Sequence, residues 1–190
     1  NTEVFDHWAR ILTAVPQARL VLKWRTLLNP ALRATIAAAF AARGIAPERL
    51  ELRGPSFHAD LLKEYADLDI ALDPFPFTGG LTSCEALWMG VPIITWPQSR
   101  VVSRQTHAFL HQIGLPELSA RDAEDYVRLA VELANDRRRL IHLRSTLRDR
   151  MRASPLMDVA GFTRRLEDAL IDLYRRNSEF REFRNSEFRG

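Results

Sequence analysis

The chain has 190 residues, 21.8 kDa, with 46% hydrophobic and 27% charged residues, which is the balance of one soluble globular domain rather than a disordered chain. It contains no apolar run of the roughly 18 residues that a bilayer span needs. No charged-then-apolar leader is read, and a lone cysteine, Cys84, excludes an internal disulfide framework and a multi-cysteine zinc site, so a reducing, cytoplasmic setting is expected. The net charge is only +3, and the pI of 9.5 reflects basic residues that are almost all arginine, Lys23 and Lys63 being the lysines.

Val4, Phe5, Trp8, Ile11, Leu12 and Val15 recur at helical spacing and predict a first helix over 2–14. Pro16 and Gln17 break it, and Arg19–Trp24 reads as a short buried strand. Pro30 opens an alanine-rich helix that runs to Arg43 and stops at Gly44. Leu50–Arg53 is a second strand, Phe57–Tyr65 a short helix, and Asp69–Leu72 a third strand. A Pro/Gly loop over 73–80 leads into a helix over 82–89, ended by Gly90. Pro92–Thr95 is a further strand and 100–113 is helical again.

This alternation predicts a Rossmann-like α/β fold, a parallel sheet with helices on both faces. The last third reads as three helices, over 122–134, 137–152 and 158–176, that finish the domain. In the third, Val159, Phe162, Leu166, Leu170 and Leu173 form an amphipathic stripe expected to pack against the sheet. Residues 177–190 repeat Asn-Ser-Glu-Phe and carry Glu-Phe-Arg three times; they are expected to be a disordered or cloning-derived tail outside the 1–176 domain.

In an open parallel sheet, ligands bind beyond the carboxyl ends of the strands. The 69–72 strand, the 73–80 loop and the helix from Thr82 fit that position. Gly79 and Gly80 let backbone approach a ligand, and the helix start offers free N–H groups to a diphosphate. Thr82 and Ser83 add hydroxyls, and Glu85 stands where a carboxylate can accept from ribose. Thr82-Ser83-Cys84-Glu85 is equally a capping box, in which Thr82 and Glu85 only satisfy the helix end.

Other signals point to structure. Asp67-Leu68-Asp69 has the form of a metal-binding pair but leads straight into a strand, so no metal site is expected there. Arg137, Arg138, Arg139, Arg144, Arg148, Arg150 and Arg152 crowd one helix without aromatic platforms; a solvated face is expected, and nucleic acid is not an expected partner. Cys84 reads as a structural cysteine.

The stretch LDPFPFTGGLTSCEALWMGVPIITWP (72–97), followed by SRQTHAFLHQIGLPEL (103–118), resembles the C-terminal catalytic lobe of the O-GlcNAc transferase/SPINDLY family, and the likeness extends from Trp8-Ala9-Arg10-Ile11-Leu12 to about Arg176. The resemblance implies the C-terminal half of a GT-B glycosyltransferase. Such enzymes invert the anomeric carbon and transfer sugar from UDP-GlcNAc, or GDP-fucose in the SPINDLY branch, to protein Ser or Thr without a required metal. It also implies an N-terminal catalytic lobe, tetratricopeptide repeats and protein acceptors as partners.

By the same resemblance, Gly80, Leu81 and Thr82 hold the pyrophosphate, Glu85 meets the ribose, and the base-binding segment falls around His58 to Leu61. Leu81 stands where relatives carry threonine, and Leu61 where they carry histidine. The lysine that counters charge on the departing diphosphate aligns just before Asn1, so no catalytic residue is expected within the chain, and this segment alone is expected to transfer no sugar. The alternative is a non-catalytic binding or scaffold module with a lapsed donor site.

Overall fold

A computed structural model describes the backbone of residues 1–187 and the side chains of residues 1–177. Helix α1 spans Thr2–Ala14; the Asn1 side chain accepts from the Val4 N–H at 2.9 Å, and Val4, Trp8, Ile11 and Leu12 face the core. Strand β1 (Leu20–Lys23) pairs in parallel with β2 (Leu50–Arg53), Leu20 opposite Leu50 and Lys23 opposite Arg53. The crossover is α2 (Pro30–Ala41), whose Asn29 cap accepts from Ala31 and Leu32 N–H, with Pro30 at the first helical position. The chain then turns through Gly44 at φ +76°, a conformation that a side chain disfavours.

After α3 (His58–Glu64), β3 (Ala71–Leu72) pairs in parallel with β4 (Ile93–Ile94) across a crossover through α4 (Leu81–Trp88). A parallel bridge between Thr95 and Ser119 adds one more rung beyond α5 (Gln105–Gln112). Helices α6 (Ala123–Asn135), α7 (Arg137–Arg152) and α8 (Val159–Glu187) follow. Helix α6 packs against α1, and α7 against α4 and α6, around a core in which Leu87, Val91, Ile94, Leu110, Tyr126 and Leu147 are fully buried. Each such side chain contributes about 1.5–3 kcal/mol relative to exposure.

Three expectations change. The parallel α/β architecture is present, but as two hydrogen-bonded strand pairs with shorter strands than the apolar runs suggest. Before β3 the chain bends at Asp69, and pairing begins only at Ala71. Arg137 and Arg138 of α7 are exposed as expected, but three other arginines of the helix do more than face solvent. Arg144 donates to the Leu68 carbonyl, Arg148 Nε to the Trp88 carbonyl at 2.8 Å, and the Arg148 and Arg152 guanidinium groups lie 5.4 and 5.3 Å from the Trp88 ring centre. They tie α7 to α4 and to the approach to β3.

The stripe on α8 does not pack against the sheet: Val159, Phe162, Leu166, Leu170 and Leu173 are all exposed. The helix also has no backbone break at Asn177 and continues to Glu187, through most of the repeated segment. Among the described residues, no helix is long and apolar enough to cross a membrane.

Candidate functional site

The loop after β3 is built on buried polar contacts. The Asp73 N–H donates to the Ile94 carbonyl at 3.0 Å, continuing the β3–β4 pairing for one residue. Its carboxylate, 5% exposed, accepts from the Gly79 N–H and the Thr95 hydroxyl, both at 2.7 Å. Its carbonyl accepts from the Tyr126 hydroxyl at 3.1 Å, which in turn accepts from the Trp8 indole at 3.0 Å. Burial pushes the Asp73 carboxyl above its ordinary range, against the hydrogen bonds from Gly79 and Thr95.

Phe75 anchors the loop's middle, its ring centre 4.8 Å from Trp96 and 5.6 Å from both His7 and Tyr126; the Phe75–Pro76 peptide is cis. Thr78, fully buried, donates from its N–H and hydroxyl to the Val102 carbonyl. Gly79 is required for space: a Cβ there would lie 2.3 Å from Ser83 Oγ. Thr106 of α5 donates to the Gly79 carbonyl at 3.1 Å and meets Ser83 Oγ at 2.9 Å. Ser83, expected as a hydroxyl for the ligand, is therefore turned inward and holds the scaffold.

Gly80 is the N-cap of α4, with no side-chain cap. The Ser83 and Cys84 N–H groups close onto the Gly80 carbonyl, while those of Gly80, Leu81 and Thr82 have no acceptor among the described residues. These three consecutive amides stand at the positive end of the helix dipole. The capping box does not form. Thr82 lies inside the first turn, exposed, and Glu85 reaches away from the helix end to His58 Nε2 at 2.8 Å.

That His58–Glu85 contact joins α3 to α4. Leu61 and Thr82 of the same two helices line a cavity of about 440 Å³, together with Lys23, Trp24, Arg53 and Tyr65. It opens at the carboxyl ends of β1 and β2, where ligands of parallel sheets sit. The Tyr65 hydroxyl donates to the Thr82 carbonyl at 3.3 Å, and its pKa is pushed up to about 12 by burial and then by the Glu85 charge. Lys23 Nζ is committed to the Gly54 carbonyl, Ser56 and Glu64 at 2.7–3.0 Å, and Arg53 to Glu51, Glu64 and Asp67. Asp67 of the acidic pair is thereby half of an ion pair.

The structure brings His58, Thr82 and Glu85 together and sets Gly79 and Gly80 as their frame. Leu81, 75% exposed, stands in the first turn of α4, and its amide has no acceptor among the described residues. Leu61 lines the cavity, and His58, one turn earlier on α3, holds Glu85. Burial, and after it the Glu85 charge, pushes the Cys84 thiol up, which suits a structural role. Asp73, Thr95, Thr106 and Tyr65 were not singled out by the sequence. An aspartate at the carboxyl end of a strand, directly before a Pro/Gly loop, is the signal that marks the first of them.

A model of glycosyl transferase family 41 matches residues 1–166. The chain is 37% identical over 175 residues to the probable UDP-N-acetylglucosamine–peptide N-acetylglucosaminyltransferase SPINDLY of Solanum lycopersicum, covering 92% of this chain and 19% of that protein. To a UDP-N-acetylglucosamine–peptide N-acetylglucosaminyltransferase of Caenorhabditis elegans it is 28% identical, over 93% of this chain and 15% of that one. Its fold matches a solved structure of the Thermobaculum terrenum O-GlcNAc transferase, a K341M mutant, with TM-score 0.87 and 43% identity, over 91% of this chain and 33% of that one. The chain thus spans under a fifth of these two curated relatives and a third of the solved one. With sequence family and fold in agreement along most of its length, the chain belongs to glycosyl transferase family 41.

Proposed function

We propose that this chain is the donor-binding half of an inverting protein O-glycosyltransferase, taking a nucleotide-diphosphate sugar, UDP-GlcNAc first, for transfer to Ser or Thr hydroxyls of proteins. The observation that carries the reading is the row of Gly80, Leu81 and Thr82 amides, which have no acceptor among the described residues, next to a cavity that Thr82 lines. The diphosphate lies on the amides and the Thr82 hydroxyl, with no metal needed to hold it. The ribose hydroxyls exchange for His58 on Glu85, and the base enters the cavity towards Leu61 and Tyr65. The donor's sugar name comes from the names of the relatives.

Charge that develops on the departing diphosphate needs a cation at the reacting end. Lys23 and Arg53 are committed to carboxylates, and the family resemblance gives that task to a lysine in the remainder of the parent protein. A complementary catalytic lobe, repeats that hold the acceptor and the acceptor protein itself are the partners of this reading, in a reducing cytoplasmic setting. The isolated chain accordingly binds donor and transfers no sugar.

Calorimetric titration of UDP, then GDP, into the chain tests it. Saturable UDP binding, weakened at least tenfold by Glu85→Ala, is the expected result. Unchanged affinity in a folded Glu85→Ala variant removes Glu85 from the site, and a preference for GDP moves the donor to GDP-fucose. The exposed Leu81 favours a second reading, a lapsed donor site, and absence of binding to either nucleotide in both this chain and its parent protein would select it.

A further inference from the structure

Of the nine buried polar side chains among the described residues, Asp73, Thr78, Ser83, Thr95 and Thr106 surround the single turn that opens α4. Burying polar groups costs free energy unless each is paired, and here each is. A β–α turn with no further duty needs two glycines and little else. This one is held from three elements at once: Asp73 at the end of β3, Thr95 just after β4 and Thr106 on α5.

We infer that Asp73 is a positioning residue of the donor site: its carboxylate, fixed by the Thr95 hydroxyl, pins the Gly79 N–H and so sets the direction of the Gly80, Leu81 and Thr82 amides. The inference rests on the donor reading above for its functional meaning, and on geometry for its structural content. The two carboxylate oxygens have separate tasks. Oδ2 takes the Thr95 proton and Oδ1 takes the Gly79 N–H, so the position of one bond fixes the other. Thr106 fixes the next peptide, Gly79–Gly80, through the Gly79 carbonyl, so both peptide units that meet at Gly79 are held. The Asp73 main chain is itself held, through its N–H on Ile94 and its carbonyl on Tyr126. Amides oriented before the ligand arrives need no reorganisation on binding, which is the advantage of a preorganised site. Asp73 touches no ligand in this arrangement; it acts through Gly79.

Thr95→Val separates this from simple stability, because it keeps the shape and the aspartate but removes the proton donor. Amide exchange and UDP titration are measured on the full chain, with Thr95→Ser as the conservative control and Asp73→Ala as the complete loss. Thr95→Val is expected to speed exchange of the Gly79 amide at least tenfold, to leave the Leu129, Ala130 and Leu133 amides of α6 unchanged, and to weaken UDP about tenfold. Thr95→Ser is expected to restore both. Unchanged Gly79 exchange overturns the inference, as does acceleration spread equally over α6, which is plain destabilisation. Faster Gly79 exchange with unaltered UDP affinity overturns it too. If the unaltered chain binds no UDP, GDP or inorganic pyrophosphate, the donor reading for this chain fails, and the exchange comparison still decides whether Asp73 holds the turn.

Discussion

At the residue scale, His58 competes for the group that the donor is proposed to use. Its imidazole is mostly exposed while the Glu85 carboxylate is 11% exposed, so the contact is a partly screened pair worth about 0.2–1 kcal/mol. His58→Ala is expected to tighten UDP by no more than about fivefold, the factor that such a pair energy allows; weaker binding in the variant would make His58 a direct ligand contact instead. Asp125 works on stability. Hydrogen bonds from Arg121, first, and from Arg128 hold its carboxyl well below the usual range. A folded pKa below the unfolded one gives stability that is full above about pH 4–5 and is lost as pH falls towards the folded value. Asp125→Asn should therefore lower the urea midpoint at pH 7 and flatten its decline between about pH 5 and 3. An equal decline in both proteins would show that the pair does not set the acid limb. Legibility differs residue by residue. Glu85 and Thr82 stand out as a motif, yet whether they cap the helix or leave it open depends on His58 and Tyr65, which lie far away in sequence.

At the element scale, helix ends and turns were readable where one residue type dictates the backbone. Pro30 opens α2 and Gly44 ends the turn after it, because these choices are local. The arginines of α7 were not readable as clamps, since pattern shows charge but not the carbonyls of Leu68 and Trp88 across the gap. Gly90 joins both kinds of constraint. It sits at φ +84°, and a Cβ there would lie 2.8 Å from the Arg144 carbonyl of α7. Gly90→Ala must accept a left-handed conformation, costing about 1–2 kcal/mol, and also push α7 from α4. A loss of at least about 2 kcal/mol in denaturant unfolding is expected from the two together. A loss below about 0.5 kcal/mol, the range of surface substitutions, would mean that the α4–α7 contact yields freely.

At the scale of the whole molecule, the α/β alternation announced the fold class, and the helical finish was visible from its periodicity. The place of α8 was not, because a hydrophobic stripe states that a face wants cover without stating what covers it. In this chain Phe162, Leu166 and Leu170 are 59%, 47% and 57% exposed, against 0% for Leu147 on α7. That contrast fixes what each helix contributes. Leu147→Ala opens a cavity in the α4–α6–α7 core and should cost about 2–5 kcal/mol. Ending the chain after Arg165 removes, among the residues whose side chains are described, only exposed ones at 166–177, so the unfolding free energy should change by less than about 1 kcal/mol at the usual coefficient for buried area. The same truncation removes Leu166, Leu170 and Leu173 from the exposed apolar row, the kind of surface that drives association, and should reduce any self-association seen by sedimentation velocity. A truncation that costs as much as Leu147→Ala would show that α8 packs onto the body in solution, and would place its stripe in the core as the sequence suggests.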